Sequence, residues 1–162
     1  MHDIDSATGT AALHPHEDHS GPELIAEARR VLMDLGEQWT TMREAVFAEL
    51  ARHGRPVSAY DIADSLSVAR GKRVAPNSIY RILDLFVASN LALRVESSNA
   101  YLANSHPGHK HDCIFLVCDE CGEALHVDDE EVSRTVRSLA SRCRFKTERP
   151  VLEIRGLCRS CV

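Results

Sequence analysis

The chain has 162 residues, 44% of them hydrophobic and 27% charged, with a net charge of −5 at pH 7 when histidine is neutral. That is the mixture of a water-soluble globular protein of one ordinary domain or two small ones. No run approaches the ~18 apolar residues of a membrane span, and the acidic N-terminus is unlike a signal peptide. The acidic total argues against indiscriminate nucleic-acid binding, yet the charge is segregated. Residues 1–39 carry two basic and eight acidic side chains, residues 40–94 eight and five, and residues 95–162 nine and eleven. Only the middle third is basic.

Residues 1–20 are rich in His, Asp, Ser, Thr and Gly without a hydrophobic period. They predict a disordered or weakly ordered lead-in, in which His14, His16 and His19 belong to a solvated tail rather than a metal trap. From Pro22 the apolar positions Leu24, Ile25, Ala28, Val31, Leu32 and Leu35 recur at three- and four-residue spacing, a first helix that Gly36 ends. Thr40 or Thr41 caps a second, with Met42, Val46, Phe47 and Leu50 on its buried side and Gly54 and Pro56 as stops. Ser58 caps a short third helix carrying Tyr60, Ile62, Ala63 and Leu66. A basic loop, Arg70-Gly71-Lys72-Arg73, leads to Pro76 and an amphipathic fourth helix marked by Ile79, Ile82, Leu83, Phe86 and Val87. Leu91–Glu96 and Ala100–Ala103 then read as two strands joined by a Ser97-Ser98-Asn99 turn. Helices followed by a hairpin is the order of a winged helix-turn-helix, whose last helix enters the major groove. The competing reading is an α+β domain whose Arg and Tyr residues merely face water.

Cys113–Val117 and Ala124–Val127 read as strands. Asp128 or Asp129 caps a helix with Val132, Val136, Leu139 and Cys143 on one face, and Cys143 is expected in the core. Val151–Ile154 supplies a third strand before Gly156. The class is therefore α+β: a winged helix-turn-helix over residues 21–104, a hinge over 105–112 and a small α/β domain over 113–162.

Cys118-Asp119-Glu120-Cys121 and Cys158-Arg159-Ser160-Cys161 are two C-x-x-C knuckles. Two intervening residues let the backbone turn back so that both sulfurs reach one metal at ~2.3 Å, and two knuckles close a tetrahedron with no open position. Such a zinc site is structural. The other reading of these thiols, redox dithiols or disulfides, requires an oxidising compartment or a thioredoxin-like βαβ context. Between the halves, residues 106–113 hold His106, His109, His111, Asp112 and Cys113. His109 and His111 alternate, which in an extended segment puts both on one face, and His126 follows the first knuckle closely. A nitrogen and oxygen site at a domain junction can fill and empty, unlike four thiolates. Cys113, beginning an apolar strand, reads as a small hydrophobe with ligation in reserve. The alternative is a histidine-rich surface loop. A zinc hydrolase using these histidines with Glu96 or Asp112 as base lacks the H-E-x-x-H helix here, and a zinc-stapled protein-interaction module without DNA predicts that Arg81→Ala leaves activity intact.

Ser58-Ala59-Tyr60-Asp61, Ser78-Ile79-Tyr80-Arg81-Ile82-Leu83, Arg94-Val95-Glu96-Ser97-Ser98-Asn99-Ala100-Tyr101, Phe115-Leu116-Val117-Cys118-Asp119-Glu120-Cys121-Gly122 and Glu153-Ile154-Arg155-Gly156-Leu157-Cys158 together resemble the ferric uptake regulator (Fur) superfamily. Over residues 22–162 the chain is most similar to its zinc uptake regulator (Zur) branch. Thiols reserved for metal point to the cytoplasm, and the resemblance implies a homodimer that binds double-stranded operator DNA when zinc is adequate and represses uptake genes. It implies no catalysis, no membrane and no small-molecule substrate. Tyr60 and Arg81 match the family's base-contacting positions; Arg43, Lys72, Arg73, Ser78 and Tyr80 suit phosphates. One structural Zn2+ and at least one regulatory Zn2+ per chain are implied. Leu93 and Asn104 stand where the zinc branch commonly has a His and a Cys, so the regulatory ligands must differ. His111 matches a family histidine, His126 falls where a carboxylate often lies, and His106, His109 and Glu96 are candidate replacements. An iron, manganese, nickel or peroxide sensor is the alternative.

Overall fold

A computed structural model describes residues 21–110 and 112–162. The lead-in with His14, His16 and His19, and His111 in the hinge, lie outside the described residues. The elements are α1 (Gly21–Asp34), α2 (Thr41–Arg52), β1 (Val57–Ser58), α3 (Ala59–Arg70), α4 (Pro76–Ala88), β2 (Ala92–Val95), a 3-10 turn (Glu96–Ser98), β3 (Ala100–Ala103), β4 (Cys113–Cys118), β5 (Ala124–Val127), α5 (Glu130–Arg142) and β6 (Val151–Gly156).

Local chemistry explains the helix starts. The Thr40 hydroxyl accepts from Arg43 N, and Ser58 and Asp61 form a reciprocal capping box that satisfies two otherwise orphaned N–H groups at the head of α3. Pro76 opens α4 where its missing N–H costs nothing. Gly71, at φ 60°, ends α3 in the left-handed conformation that glycine adopts without strain. The apolar faces converge on one core containing Leu32, Phe47, Leu50, Ile62, Ile79, Leu83 and Phe86, all at most 1% exposed. At its centre Phe47 meets Phe86 edge-on at 5.7 Å, and Trp39 lies within 6.2 Å of both rings. The hairpin extends the core through a three-stranded antiparallel sheet in the order β1-β3-β2. β1 is absent from the sequence reading: two residues carry no periodicity, and their pairing with Ala100 and Tyr101 is non-local.

The second sheet runs β5-β4-β6, with β4 antiparallel to β5 and parallel to β6. Its inner face meets the wing: Cys113, Phe115, Val117 and Ala124 pack with Leu93 and Val95 in a small shared core. Its outer face leaves Leu116, Leu125 and Ile154 exposed. α5 buries no residue, although Asp129 caps it as expected and Arg137 ties it to Asp112 through two guanidinium hydrogen bonds. The reading of Cys143 as core is corrected accordingly: it is exposed at the C-terminal cap of α5. Helical period identifies an apolar face but not what covers it, and within one chain nothing buries this one. Between the lobes the hinge crosses α1 closely. A Cβ on Gly108 would stand 3.0 Å from Val31 Cγ1, and φ there is +80°, so both space and backbone require glycine.

Candidate metal centre and nucleic-acid interface

The parallel pairing of β4 with β6 brings the knuckles together. Cys118 sits opposite Gly156 in the register, and Asp119 N donates to Gly156 O at 2.8 Å. Both strands therefore release their knuckles at the same end of the sheet. Gly122, at φ +74°, completes the first reversal, with its N–H donating to Cys118 O at 3.0 Å. The Sγ atoms of Cys118, Cys121, Cys158 and Cys161 all lie within 4.8 Å of one another, and those of Cys121 and Cys158 are 3.7 Å apart. A tetrahedron of sulfurs ~2.3 Å from a central ion has edges of ~3.8 Å, so the spacing fits a thiophilic, four-coordinate metal.

The electrostatics agree. Backbone N–H groups of Cys121 and Cys158 lower the Cys118 thiol to about 6, and the Cys158 N–H is seen directly, 3.3 Å from Cys118 Sγ. Cys161 is pushed up to about 12, first by its hydrogen bond with the Cys158 sulfur and then by burial. One thiolate is favoured and another opposed, so four negative sulfurs coexist only around a cation. Arg155 Nε donates to Asp119 Oδ1 at 2.7 Å, bracing the first knuckle against β6. Among the described residues this is the one set of three or more His, Cys, Asp or Glu groups whose ligand atoms share an ion-sized space.

The hinge candidates are placed separately. His126 is half-buried on β5, its ring 5.3 Å from that of Phe115 and its Nε2 3.7 Å from Asp128. His106 is half-buried, with Ser105 Oγ 3.4 Å from its Nδ1. His109 is exposed, and Glu96 is exposed with Arg94 Nε 3.3 Å away. Cys113 is 2% exposed; burial pushes its thiol up, opposed by Arg149 with Nη2 4.0 Å from the sulfur. Leu93 and Asn104 are both buried. The Asn104 amide donates to Asn90 O at 2.8 Å and accepts from His106 N at 3.0 Å, so it fastens the hinge by hydrogen bonds.

On the first lobe, the N-terminal turns of α3 and α4 present an exposed face. Tyr60 is 61% exposed and meets Tyr80 edge-on at 6.2 Å; Ser78 and Arg81 on α4 are exposed, as are Lys72 and Arg73 in the loop between α3 and α4. Asn99 Nδ2, at the wing, donates to the Tyr80 hydroxyl at 3.3 Å. Asn99 is not among the candidate site residues read from the sequence; the available signal is an Asn at the end of the Ser97-Ser98-Asn99 turn, where it adopts a left-handed φ of 48°. Arg43 differs from the other cations. Its Nη1 pairs with Glu37 at 3.1 Å and with the Gln38 carbonyl, so it braces the α1–α2 connection.

The family model described as "Ferric uptake regulator family" matches residues 34–155, spanning both lobes. The chain belongs to the ferric uptake regulator family. It is similar to the zinc uptake regulation protein of Escherichia coli, at 30% identity over 141 residues covering 86% of this chain and 82% of that protein. Similarity to the ferric uptake regulation protein of Legionella pneumophila is also 30%, over 138 residues covering 83% of this chain and 98% of the relative. Among solved structures, a zinc uptake regulator complexed with zinc and DNA aligns with a TM-score of 0.77 and 28% identity, covering 85% of this chain and 92% of that one. No described helix is long and apolar enough to cross a membrane.

Proposed function

We propose that the chain is a zinc-responsive transcriptional repressor, acting in the cytoplasm as a homodimer on double-stranded operator DNA and controlling zinc uptake genes. The observation that carries this reading is the joint presence, in one chain, of a closed four-sulfur set and a face with exposed Tyr60 and Arg81 beside the half-buried Tyr80. The likeness over both lobes to a regulator complexed with zinc and DNA supports it.

In this reading Cys118, Cys121, Cys158 and Cys161 hold a structural zinc, which supplies a cross-link between the ends of β4 and β6. Residues 21–104 read DNA, 105–112 form the hinge and 113–162 dimerise. The exposed outer face of the second sheet, with Leu116, Leu125 and Ile154, and the apolar side of α5 support pairing with a second copy. Arg81 and Tyr60 contact bases, and Lys72, Arg73, Ser78 and Tyr80 contact phosphates. Arg43 reaches phosphate only by leaving Glu37. A regulatory zinc draws its ligands from His106, His109, His111, His126, Glu96 and Cys113. Imidazole donors at a lobe junction suit an ion that comes and goes, and no catalytic step is assigned.

The similarity to an iron-responsive relative supports a second reading, in which the hinge answers to iron or manganese. Stripped protein titrated with each metal at buffered free concentration, with DNA binding followed by fluorescence anisotropy, separates the two. Zinc is expected to restore binding at the lowest free concentration. Restoration by iron or manganese at lower concentrations overturns the zinc reading.

A further inference from the structure

β6 of the second lobe grips both DNA-reading elements of the first. Just before the strand, Arg149 Nη1 donates to Val87 O at 3.4 Å, near the C-terminal end of α4. Four residues on, the half-buried Glu153 carboxylate receives the wing turn: Oε1 accepts from Glu96 N at 2.5 Å and Oε2 from Ser97 N at 3.1 Å. Register places Glu153 opposite Phe115, and Phe115 opposite His126, so the three occupy one row across the sheet. Beyond the turn, Arg94 Nη2 donates to Asn99 Oδ1 at 2.9 Å, and Asn99 holds the Tyr80 hydroxyl. A chain of directed contacts thus runs from β6 to the head of α4. The apolar contact of Leu93 and Val95 with Phe115 also joins the lobes, but apolar contact is non-directional and leaves the angle loose. Two charge-assisted hydrogen bonds to adjacent backbone N–H groups define it.

We propose that Glu153 is a latch that sets the angle between the second lobe and the wing, a positioning residue for DNA binding that itself meets no DNA. This rests on the repressor reading above. The role has a distinctive sign. A carboxylate beside a DNA-binding lobe opposes a polyanion by charge alone, so removing it strengthens binding unless orientation is what it supplies.

The test uses the full zinc-loaded chain as wild type, Glu153→Gln and Glu153→Ala, with Glu148→Gln removing the same charge from an exposed site on the same lobe. The probe is a duplex that the wild-type protein selects from a random pool. The expected result for Glu153→Gln is affinity weakened about 10-fold and amide exchange at Glu96 and Ser97 faster by a similar factor, with zinc content unchanged. Glu148→Gln is expected to bind equally or more tightly. Binding by Glu153→Gln equal to or tighter than wild type, or unchanged exchange at the two amides, overturns the latch. Should Glu153→Ala lose its fold, the isosteric Gln variant decides. If the wild-type protein selects no duplex, it is the repressor reading that fails, and amide exchange still judges the latch.

Discussion

The two lobes solve the problem of stability differently. The first has a core of its own, centred on Phe47, Phe86 and Trp39 and closed by α1 to α4 together with the β1-β3-β2 sheet. The second is a three-stranded sheet whose inner core is shared with the wing and whose helix buries nothing. Such a small sheet cannot repay chain entropy by burial alone. The wing supplies part of what its own side chains do not, and in the proposed function a metal on the four thiolates and a second copy supply the rest. The first lobe is thus built to fold on its own core, and the second is built to need help.

The largest break in this comparison comes from the metal. Cys121→Ser leaves three sulfurs where structural zinc binding is worth about 10–16 kcal/mol in small domains. The expected outcome is loss of the dimer by sedimentation, while far-UV circular dichroism retains the signal of α1 to α4. Phe47→Ala strikes the other lobe, at a cost of about 3–5 kcal/mol for a fully buried aromatic. Thermal unfolding should show the first lobe melting early while metal analysis still finds zinc on the four cysteines. Retention of the dimer in the first variant, or loss of zinc in the second, dissolves the distinction between the lobes.

Arg81→Ala touches function without either core. If Arg81 makes the base contact proposed for it, the expected cost is about 1–3 kcal/mol with relaxed preference at one operator position, measurable by anisotropy against a panel of single-base variants. The smallest effect concerns acid. Hydrogen bonding from Arg52 holds the Glu49 carboxyl down to about 2 from its ordinary 4.5, against burial, with Ser65 and His53 assisting. A depressed carboxyl stabilises the fold above its unfolded value and loses that contribution as pH falls from about 4.5 toward 2. With Arg52 largely exposed, Glu49→Gln is expected to cost about 1 kcal/mol near neutral pH. Urea unfolding should show that deficit shrinking below pH 4.5.

Much of the fold was written in local chemistry. Ser58 with Asp61, Thr40, Pro76 and Asp129 announced their helices because caps act within one turn. The knuckles were equally plain, since their spacing is itself the geometry. What escaped was non-local or external. β1 exists only through its partner β3, and the Glu153 contact with Glu96 joins residues 57 apart with no motif to mark it. Cys143 illustrates the external case: α5 has a regular apolar face, and periodicity says nothing about whether its cover lies in the same molecule. For the hinge, residue types suggested ligation, whereas the described positions of His106, His109, His126, Glu96 and Cys113 do not by themselves gather around one ion.

The parallel pairing of β4 with β6 also has a consequence for how the molecule comes into being. Its two knuckles are separated by a strand, a helix and a further strand, so the ion closes a long loop late, after non-local strands have found each other. Leu116, Leu125 and Ile154 are exposed on the outer face of this sheet, and a chain whose sheet is not closed and covered offers the kind of surface that invites aggregation and proteolysis. If the chain is the zinc-responsive repressor proposed above, scarcity acts twice and on separate clocks: quickly, on the regulatory ion of finished protein, and slowly, by denying the four-sulfur centre to its replacements.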